Sequence, residues 1–286
     1  MKKAIVIGAL GYVGYGLCCR LLDDDVIVYA IDSIPKAESL EEEKLLQVGR
    51  NANLIFTDLN DCIFEDENMT DIDAVFYTLI DPNFRIKEED IIALKTQNRN
   101  MLEKAIDHCD QKRCKFILLS TTCIESGASQ EDKLREQDEL YVSRNDTLDY
   151  MIIRLPTLYG PWQPDNLIYQ QAIRATIDKN EDSHFIMYEN TDDLLYIDDA
   201  IDGILNITNK WETRKTYVLS SGLEDQWKAG LRLISESFSF DEIIDEFKSN
   251  QKDTRTHCFI QKPKTSLEKG INNQFEYVKW LKKRLK

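Results

Sequence analysis

A glycine-rich turn constrains the fold of this chain more than any other feature of its sequence. The motif GALGYVG places Gly8, Gly11 and Gly14 between the apolar run AIVIGA and a helical pattern that begins at Tyr12. The first glycine permits a tight turn, the second lets a phosphate group approach the backbone, and the third allows the helix to pack closely on the strand. The N–H groups of Tyr12 and Val13, at the positive end of the helix dipole, complete a predicted anion site.

The second predicted strand, VIVYAID (26–32), ends in an acidic residue. Asp32 stands about 20 residues beyond the glycine motif, where a carboxylate can accept hydrogen bonds from the ribose hydroxyls of a dinucleotide. A carboxylate at this position repels a 2′-phosphate, which favours NAD over NADP, while Lys36 close by moderates that preference. The motif and Asp32 together predict a site for NAD or NADP.

Strand-like and helix-like segments alternate through the first half of the chain. Strands are predicted at 53–59, 74–80, 115–120 and 150–155, and helices at 86–108 and 130–145. Such alternation is typical of an α/β fold whose parallel sheet carries helices on both faces. With 286 residues, the chain has room for one such unit and an appended lobe.

The composition changes after the sixth strand, where PTLYGPWQPDN (156–166) is rich in proline and turn-forming residues. Beyond it, predicted strands at 184–188 and 216–221 are interleaved with helices at 166–179, 199–209 and 225–238. We therefore expect a Rossmann-type doubly wound parallel sheet with a smaller, discontinuous C-terminal substrate-binding lobe. The predicted dinucleotide-binding domain is 1–156, to which 192–212 return, and the predicted lobe comprises 157–191 and 213–286.

The composition also excludes several classes of function. A net charge of −15 argues against a nucleic-acid partner, which requires clustered Lys and Arg. No apolar run approaches membrane length, so no membrane partner is expected, and no cysteine or histidine spacing predicts a metal site. The seven cysteines are scattered and odd in number, which indicates reduced thiols in a cytoplasmic protein. The acidic run ESLEEEK (38–44) is predicted to be a solvated helix face.

Six further segments give the chain a resemblance to a known family. They are TDLND (57–61), FYTLI (76–80), LLSTT (118–122), RLPTLYGPWQPDN (154–166), LLYIDDAIDGI (194–204) and PKTSLEKGI (263–271). Together with GALGYVG, in this order and at this spacing, they resemble the extended short-chain dehydrogenase/reductase superfamily. The specific resemblance is to its NAD-dependent epimerase/dehydratase branch, which acts on nucleotide sugars, and it covers nearly the whole chain.

The resemblance implies roles for particular residues. Asp58 corresponds to the acid that contacts the adenine amine, and the cofactor pocket is lined by Leu59, Thr78 and Leu79. Thr122 corresponds to the catalytic hydroxyl that steadies the substrate oxygen. Lys133 corresponds to the lysine that holds the nicotinamide ribose and lowers the pKa of a catalytic tyrosine.

The tyrosine that the resemblance requires four residues before Lys133 is absent, because Ser129 stands there. A serine hydroxyl is a far weaker acid than a phenol, so Ser129 as a catalytic residue would need strong assistance. Three accounts remain open. Thr122, Lys133, a bound water or a substrate hydroxyl relays the proton; or Tyr159 or Tyr196 reaches in from the lobe; or the protein binds dinucleotide without turnover.

The function that the resemblance implies is an NAD(P)-dependent enzyme of nucleotide-sugar metabolism. Reduction of a 4-keto-6-deoxy nucleotide sugar is favoured among its reactions, because the compact chain resembles reductases in size. The alternatives are a catalytically impaired dinucleotide-binding regulatory or partner protein, and an atypical nucleotide-sugar epimerase or dehydratase. The resemblance also implies a homodimer built from the helices near 90–107 and 130–145.

Overall fold

The computed structural model of the protein describes residues 1–62, 64, 69–79, 91–126, 130–179, 185, 193–234 and 257–284. Ser129 and the strand predicted at 184–188, apart from Phe185, lie outside the described residues. The start of the helix predicted at 86–108 and the end of the helix predicted at 225–238 also lie outside them.

Parallel strands form the framework of the described residues. These strands are β1 (Lys3–Ile7), β2 (Ile27–Asp32), β3 (Leu54–Asp58), β4 (Ala74–Tyr77), β5 (Lys115–Thr121), β6 (Tyr150–Leu155), β7 (Thr157–Tyr159), β8 (Leu194–Tyr196), β9 (Lys215–Ser220) and β10 (His257–Ile260). All except β7 and β8 lie in one 8-stranded sheet with the order β10-β9-β6-β5-β4-β1-β2-β3, and every neighbouring pair is parallel. From β1 the chain extends the sheet through β2 to β3 on one side, and then from β4 onward on the other side. In sheets of this kind a ligand crevice lies at the carboxyl ends of the strands where the two halves meet.

Helices cover both faces of the large sheet. The helices of the described residues are α1 (Tyr12–Asp23), α2 (Leu40–Val48), α3 (Ile91–Lys112), α4 (Gln130–Ser143), α5 (Ile168–Asp178), α6 (Ile197–Lys210), α7 (Gln226–Ile234) and α8 (Leu267–Arg284). Helices α3 and α4 cover one face, and α1 and α6 cover the other. This arrangement confirms the predicted Rossmann-type α/β fold.

The apolar run of β1 shows why these strands form the centre of the sheet. Ala4 and Val6 point into the core that contains α1 and α6, whereas Ile5 and Ile7 point into the core that contains α3. All four side chains are completely buried. Successive side chains of a strand point to opposite faces, so a strand that is covered on both sides must be apolar at every position.

Several elements of the C-terminal half pack together beside the large sheet. Strand β7 pairs with β8, and helices α5, α7 and α8 pack together. The amide of Gln274, on α8, is fully buried, accepts the Gly160 N–H at 3.1 Å and donates to Gln163 Oε1 at 2.6 Å. These bonds hold α8 against the turn that follows β7.

The large sheet takes two strands from the segment that was predicted to form the lobe, and the second of them, β10, was not predicted as a strand. Strand β9 pairs with β6, and β10 pairs with β9, so both extend the large sheet although they lie within the range 213–286. Their pairing joins segments that are far apart along the chain, and the strand pattern of the sequence does not encode which neighbour such a strand selects.

The part of the chain that the structure describes contains neither a membrane-spanning helix nor a candidate metal site. No helix there is long and apolar enough to cross a membrane. Over the same residues, no group of three or more His, Cys, Asp or Glu side chains could hold a metal ion.

Candidate functional site

The turn between β1 and α1 accepts only glycine at two positions. Gly8 has φ +83°, and a Cβ atom there would lie 2.5 Å from the carbonyl oxygen of Thr78. A Cβ at Gly14 would lie 2.0 Å from the carbonyl oxygen of Gly8. Both distances are too short for any side chain, because the clashing atoms belong to the backbone. The turn therefore has the tight geometry that the motif predicted.

The amino end of α1 is open to an anion. Gly11 precedes the helix in extended conformation and donates its N–H to Gly8 O at 3.1 Å. Gly11 has no side chain to cap the helix, and the first helical turn, which contains Tyr12 and Val13, carries no acidic residue. The positive end of the helix dipole is thus available to a diphosphate, which the glycine backbone can approach closely.

Asp32 lies at the carboxyl end of β2, beside this turn. Its Oδ2 accepts the Leu10 N–H at 2.7 Å, and its Oδ1 accepts the Ser33 N–H at 2.7 Å. Burial raises the pKa of the Asp32 carboxyl, and these two hydrogen bonds oppose that rise. Each carboxylate oxygen can accept a further hydrogen bond, so Asp32 retains the capacity to bind ribose hydroxyls.

Lys44 is a site residue that the sequence did not reveal. It belongs to the run ESLEEEK, which we predicted as a solvated helix face, but only 5% of Lys44 is exposed. Its Nζ donates to Leu10 O at 2.7 Å and lies 5.7 Å from the ring centroid of Tyr15 and 5.8 Å from that of Trp162. The hydrogen bond from Lys44 thus holds Leu10, within the glycine turn, in place. This role was not predicted, because the neighbouring acidic residues made the segment resemble a solvated helix face.

The other predicted cofactor-binding residues lie along the same edge of the sheet. Asp58 ends β3 and lies opposite Asp32 in the pairing register, and the Leu59 N–H donates to Asp32 O at 2.8 Å. Thr78 follows β4 and donates its N–H to Ile7 O at 2.9 Å, and Leu79, beside it, is half-buried. The fold therefore brings these residues to the crevice beside the glycine turn.

Helix α4 turns Arg135, not Lys133, toward the sheet. Lys133 is exposed, whereas 4% of Arg135 is exposed. Arg135 Nη1 donates to Oδ1 of the buried Asp132 at 3.1 Å, and residues three apart share a helix face. The position of Lys133 lies about 100° around the axis from that of Asp132, since a turn contains 3.6 residues. Lys133 was expected to be catalytic and to hold the cofactor; the structure shows it exposed on α4, and its role stays a prediction.

A small cavity lies where α4 meets the carboxyl ends of β4 and β5. It has a volume of about 10 Å³ and is lined by Tyr77, Thr78, Leu118, Leu119, Ser120, Arg135 and Asp138. Among the described residues, the hydroxyls of Thr78 and Ser120 have no hydrogen-bond partner. A polar space of this size holds about one water molecule. Thr122 is half-buried and begins a 3₁₀ turn (Thr122–Ser126) that continues from β5.

Asp138 gives this cavity an ionisable group. Asn98 Nδ2 donates to Asp138 Oδ2 at 2.8 Å, and the Tyr77 hydroxyl donates to Asn98 at 2.9 Å. Burial raises the pKa of Asp138 to about 6, while the Asn98 hydrogen bond and the charges of Arg99 and Arg135 oppose the rise. An acid with this pKa can both donate and accept a proton near neutral pH.

The face of α4 that meets the sheet also carries an ion pair. Arg154, on β6, donates from Nε to Glu139 Oε1 at 3.1 Å and from Nη2 to Glu139 Oε2 at 2.8 Å. The two-point contact fixes α4 against β6 and hence fixes Arg135 and Asp138 relative to the cavity. The spacing of these α4 residues, three or four apart, is the sequence signal that could have identified this face.

The two tyrosines considered as substitutes for the missing phenol are core residues. Tyr159 is 3% and Tyr196 is 4% exposed, and their ring centroids lie 5.5 Å apart. Burial raises the pKa of both hydroxyls, which makes each a poorer acid at neutral pH. Neither residue lines the cavity beside Arg135. The account in which one of them replaces the catalytic tyrosine therefore finds no support in the geometry.

Sequence comparison relates this part of the chain to a family. The model of the NAD dependent epimerase/dehydratase family matches residues 4–145. The match extends from β1 through α4, and so includes the glycine turn, Asp32 and the residues that line the cavity. A comparison with curated proteins gives no significant match.

Solved structures share the fold over the length of the chain. UDP-glucuronic acid 4-epimerase from Bacillus cereus, in complex with NAD, has a TM-score of 0.74 at 20% identity, covering 98% of this chain and 99% of that chain. dTDP-glucose 4,6-dehydratase from Bacillus anthracis, in complex with NAD, has a TM-score of 0.71 at 12% identity, covering 100% of both chains. UDP-N-acetylglucosamine 4-epimerase from Methanobrevibacter ruminantium, in complex with UDP-N-acetylmuramic acid, has a TM-score of 0.69 at 15% identity, covering 98% of both chains.

Proposed function

We propose that the protein belongs to the NAD dependent epimerase/dehydratase family, whose model matches residues 4–145, and that it is an NAD-dependent enzyme that modifies a nucleotide sugar. The observation that carries this proposal is the turn between β1 and α1. Gly8 and Gly14 leave no room for a side chain, and the uncapped end of α1 offers its dipole to a diphosphate. Asp32 at the end of β2 supplies the acceptor for an adjacent ribose.

The residues at the crevice fit a pyridine dinucleotide. The backbone of Gly8, Gly11, Tyr12, Val13 and Gly14 would hold the diphosphate, and Asp32 would hold the adenosine ribose. The adenine side of the pocket would be formed by Asp58, Leu59, Thr78 and Leu79. NAD is the proposed cofactor rather than NADP, because the Asp32 carboxylate repels a 2′-phosphate and the nearby Lys44 ammonium is held by Leu10 O at 2.7 Å.

Bound NAD supplies a hydride acceptor or donor at its nicotinamide ring. The chain must then orient the sugar oxygen and move one proton. Thr122 is proposed to orient that oxygen, and Asp138, with a pKa of about 6, to supply or accept the proton through the cavity beside Ser120. A reduction consumes a single proton and a single hydride. We therefore favour reduction of a 4-keto-6-deoxy nucleotide sugar, with epimerisation or dehydration as the alternatives.

A second candidate is a dinucleotide-binding protein without turnover. Two observations favour it. Lys133 is exposed, whereas the resemblance places the lysine against the cofactor, and Tyr159 and Tyr196 are buried in the core that contains α1 and α6. Such a protein would regulate or support a neighbouring sugar enzyme while retaining the cofactor site.

Calorimetry followed by a turnover assay distinguishes the two candidates. We expect NAD and NADH to bind and NADP to bind more weakly. NADH should then be oxidised in the presence of UDP- or dTDP-4-keto-6-deoxy sugars, as measured by the absorbance of the reduced nicotinamide. Turnover should fall in Thr122→Ala and persist in Glu136→Ala, a control at an exposed position of α4. Dinucleotide binding without turnover on any keto sugar supports the second candidate, and absence of dinucleotide binding refutes both.

We also propose a homodimer that acts in the cytoplasm. Helices α3 and α4 border an open groove of about 340 Å³ lined by Arg99, Tyr141 and Leu140, and 46% of Leu140 is exposed. An exposed apolar side chain in a groove between two helices fits a helix-packed interface. All seven cysteines are free, which suits a reducing compartment.

A further inference from the structure

The end of α3 brings two cysteines together. The N–H of Cys114 donates to the carbonyl oxygen of Cys109 at 3.2 Å, and Arg113 between them has a left-handed backbone with φ 59°. This is the six-to-one bond of a Schellman motif, in which the residue that follows the left-handed one bonds back to the last helical turn. The motif also places the side chains of these two residues in contact, and that contact is usually apolar.

In this chain the contact consists of two thiols. The sulfur atoms of Cys109 and Cys114 lie 3.1 Å apart and share a hydrogen bond. Only 1% of Cys109 and 3% of Cys114 is exposed. The backbone bond keeps the two residues adjacent, and a disulfide would bring their sulfur atoms from contact to a bond of about 2.05 Å.

The two thiols differ in acidity. The hydrogen bond between the two sulfur atoms lowers the pKa of the Cys114 thiol, while burial raises the pKa of the Cys109 thiol. The thiolate is the form that reacts with oxidants, so the Cys114 sulfur reacts with the oxidant first. Cys109, already in contact, is then the resolving thiol.

We propose that Cys109 and Cys114 form a redox-active dithiol that hydrogen peroxide converts into an intramolecular disulfide. The Cys114 sulfur attacks one peroxide oxygen, the O–O bond breaks, and the products are a sulfenic acid and water. The Cys109 sulfur then displaces the hydroxyl group from the Cys114 sulfur, which leaves as a second water. The two thiols lose two electrons and two hydrogens, and the peroxide is reduced to two molecules of water.

The dithiol is separate from the nucleotide site. Cys114 immediately precedes the first residue of β5, whereas Ser120 lies near the other end of that strand and lines the cavity. Oxidation would therefore tie α3 to β5 at the edge of the sheet opposite the crevice. The proposal stands on the sulfur contact alone and does not depend on which dinucleotide or sugar the protein binds.

Peptide mapping of the oxidised protein tests the proposal. The full-length chain is fully reduced, treated with hydrogen peroxide, alkylated under denaturing conditions and digested with trypsin. Trypsin cleaves after Lys112 and Arg113, so the disulfide would join the peptide 105–112 to the dipeptide 114–115. We expect this linked product and the loss of two alkylatable thiols. Recovery of both cysteines in alkylated form, or oxidation to sulfinic acid without the linked product, would overturn the proposal.

Single variants test the order of the steps. In Cys109→Ser, whose hydroxyl can still donate a hydrogen bond to the Cys114 sulfur, the linked peptide should disappear and a sulfenic acid on Cys114 should be trapped by dimedone. Cys114→Ala should lose both the linked peptide and the trapped product. The matched control is Cys62→Ala, which removes another buried cysteine. This variant should still form the disulfide between Cys109 and Cys114. Circular dichroism checks that each variant is folded, and trapping on Cys109 in Cys114→Ala would refute the assigned order.

Discussion

The carboxyl group of Asp138 is buried where α3, α4 and β4 meet, and its replacement by asparagine tests the electrostatics of the candidate site. The charged and polar groups that face it are Arg135 and Glu139 on α4, Asn98 and Arg99 on α3, and Tyr77 on β4. Burial raises the pKa of Asp138 from 3.8 to about 6 in spite of its positive neighbours. The folded protein therefore holds this proton more tightly than the unfolded chain does.

The sign of the effect follows from proton binding. Between pH 3.8 and about 6 the folded state binds more protons at Asp138 than the unfolded state, so the contribution of this group to stability falls as the pH rises. Each pH unit of difference in pKa is worth about 1.4 kcal/mol, which makes the full cost of the ionised carboxylate about 3 kcal/mol. This cost is absent at pH values below the pKa of Asp138 in the unfolded chain, and it is complete at pH values above the pKa of Asp138 in the folded protein.

Asp138→Asn removes the charge and retains the acceptor for Asn98 Nδ2. We expect the variant to match the parent protein near pH 3.5 and to be more stable at pH 8, by up to about 3 kcal/mol. Urea denaturation at both pH values measures the difference, and changes in other groups cancel in the comparison. Glu136→Gln, an exposed carboxylate on the same helix, is the control that should show no such dependence. Equal effects of Asp138→Asn at the two pH values would refute the reasoning.

Three further substitutions test other parts of the site. Gly14→Ala would place a Cβ 2.0 Å from Gly8 O and should destabilise the protein by about 3 kcal/mol, measured by denaturant unfolding. Lys44→Met removes the buried donor to Leu10 O and should weaken NAD binding about fivefold in calorimetry, with little change for Lys36→Met, a surface control. Leu140→Glu places a charge in the groove between α3 and α4 and should dissociate the proposed dimer in light scattering.

The sequence contained most of the information that defines the large sheet. Strands that are buried on both faces must be apolar throughout, so their runs could be located to within a few residues. The strand predicted at 150–155 agrees with β6 as observed, and that predicted at 115–120 differs from β5 only by Thr121. The pairing of β9 with β6 and of β10 with β9 could not be read in this way, because it depends on contacts between distant segments.

The face of a charged helix is harder to predict. Helix α4 has the sequence QEDKLREQDELYVS, in which charged residues occupy most of the circumference. An apolar stripe normally identifies the buried side of a helix, and here that stripe is too weak to decide. Lys133 was assigned to the site because the segment that follows it, LREQDEL, resembles the helix that carries the family's lysine, whereas the structure buries Arg135 on this helix. Lys44 was missed for a related reason, since its acidic neighbours made α2 resemble a solvated helix.

The buried charges of α4 bear on what this helix does. Asp132, Arg135, Asp138 and Glu139 all have less than a tenth of their surface exposed. Apolar side chains of similar volume at such positions are often as stabilising as buried ions or more so, because ions lose their hydration. A helix that only covered the sheet would not require them. If Asp138 moves a proton in the proposed reaction, Asp138→Asn should raise stability at pH 8 and lower turnover, and this opposition separates a catalytic carboxylate from one that is merely structural.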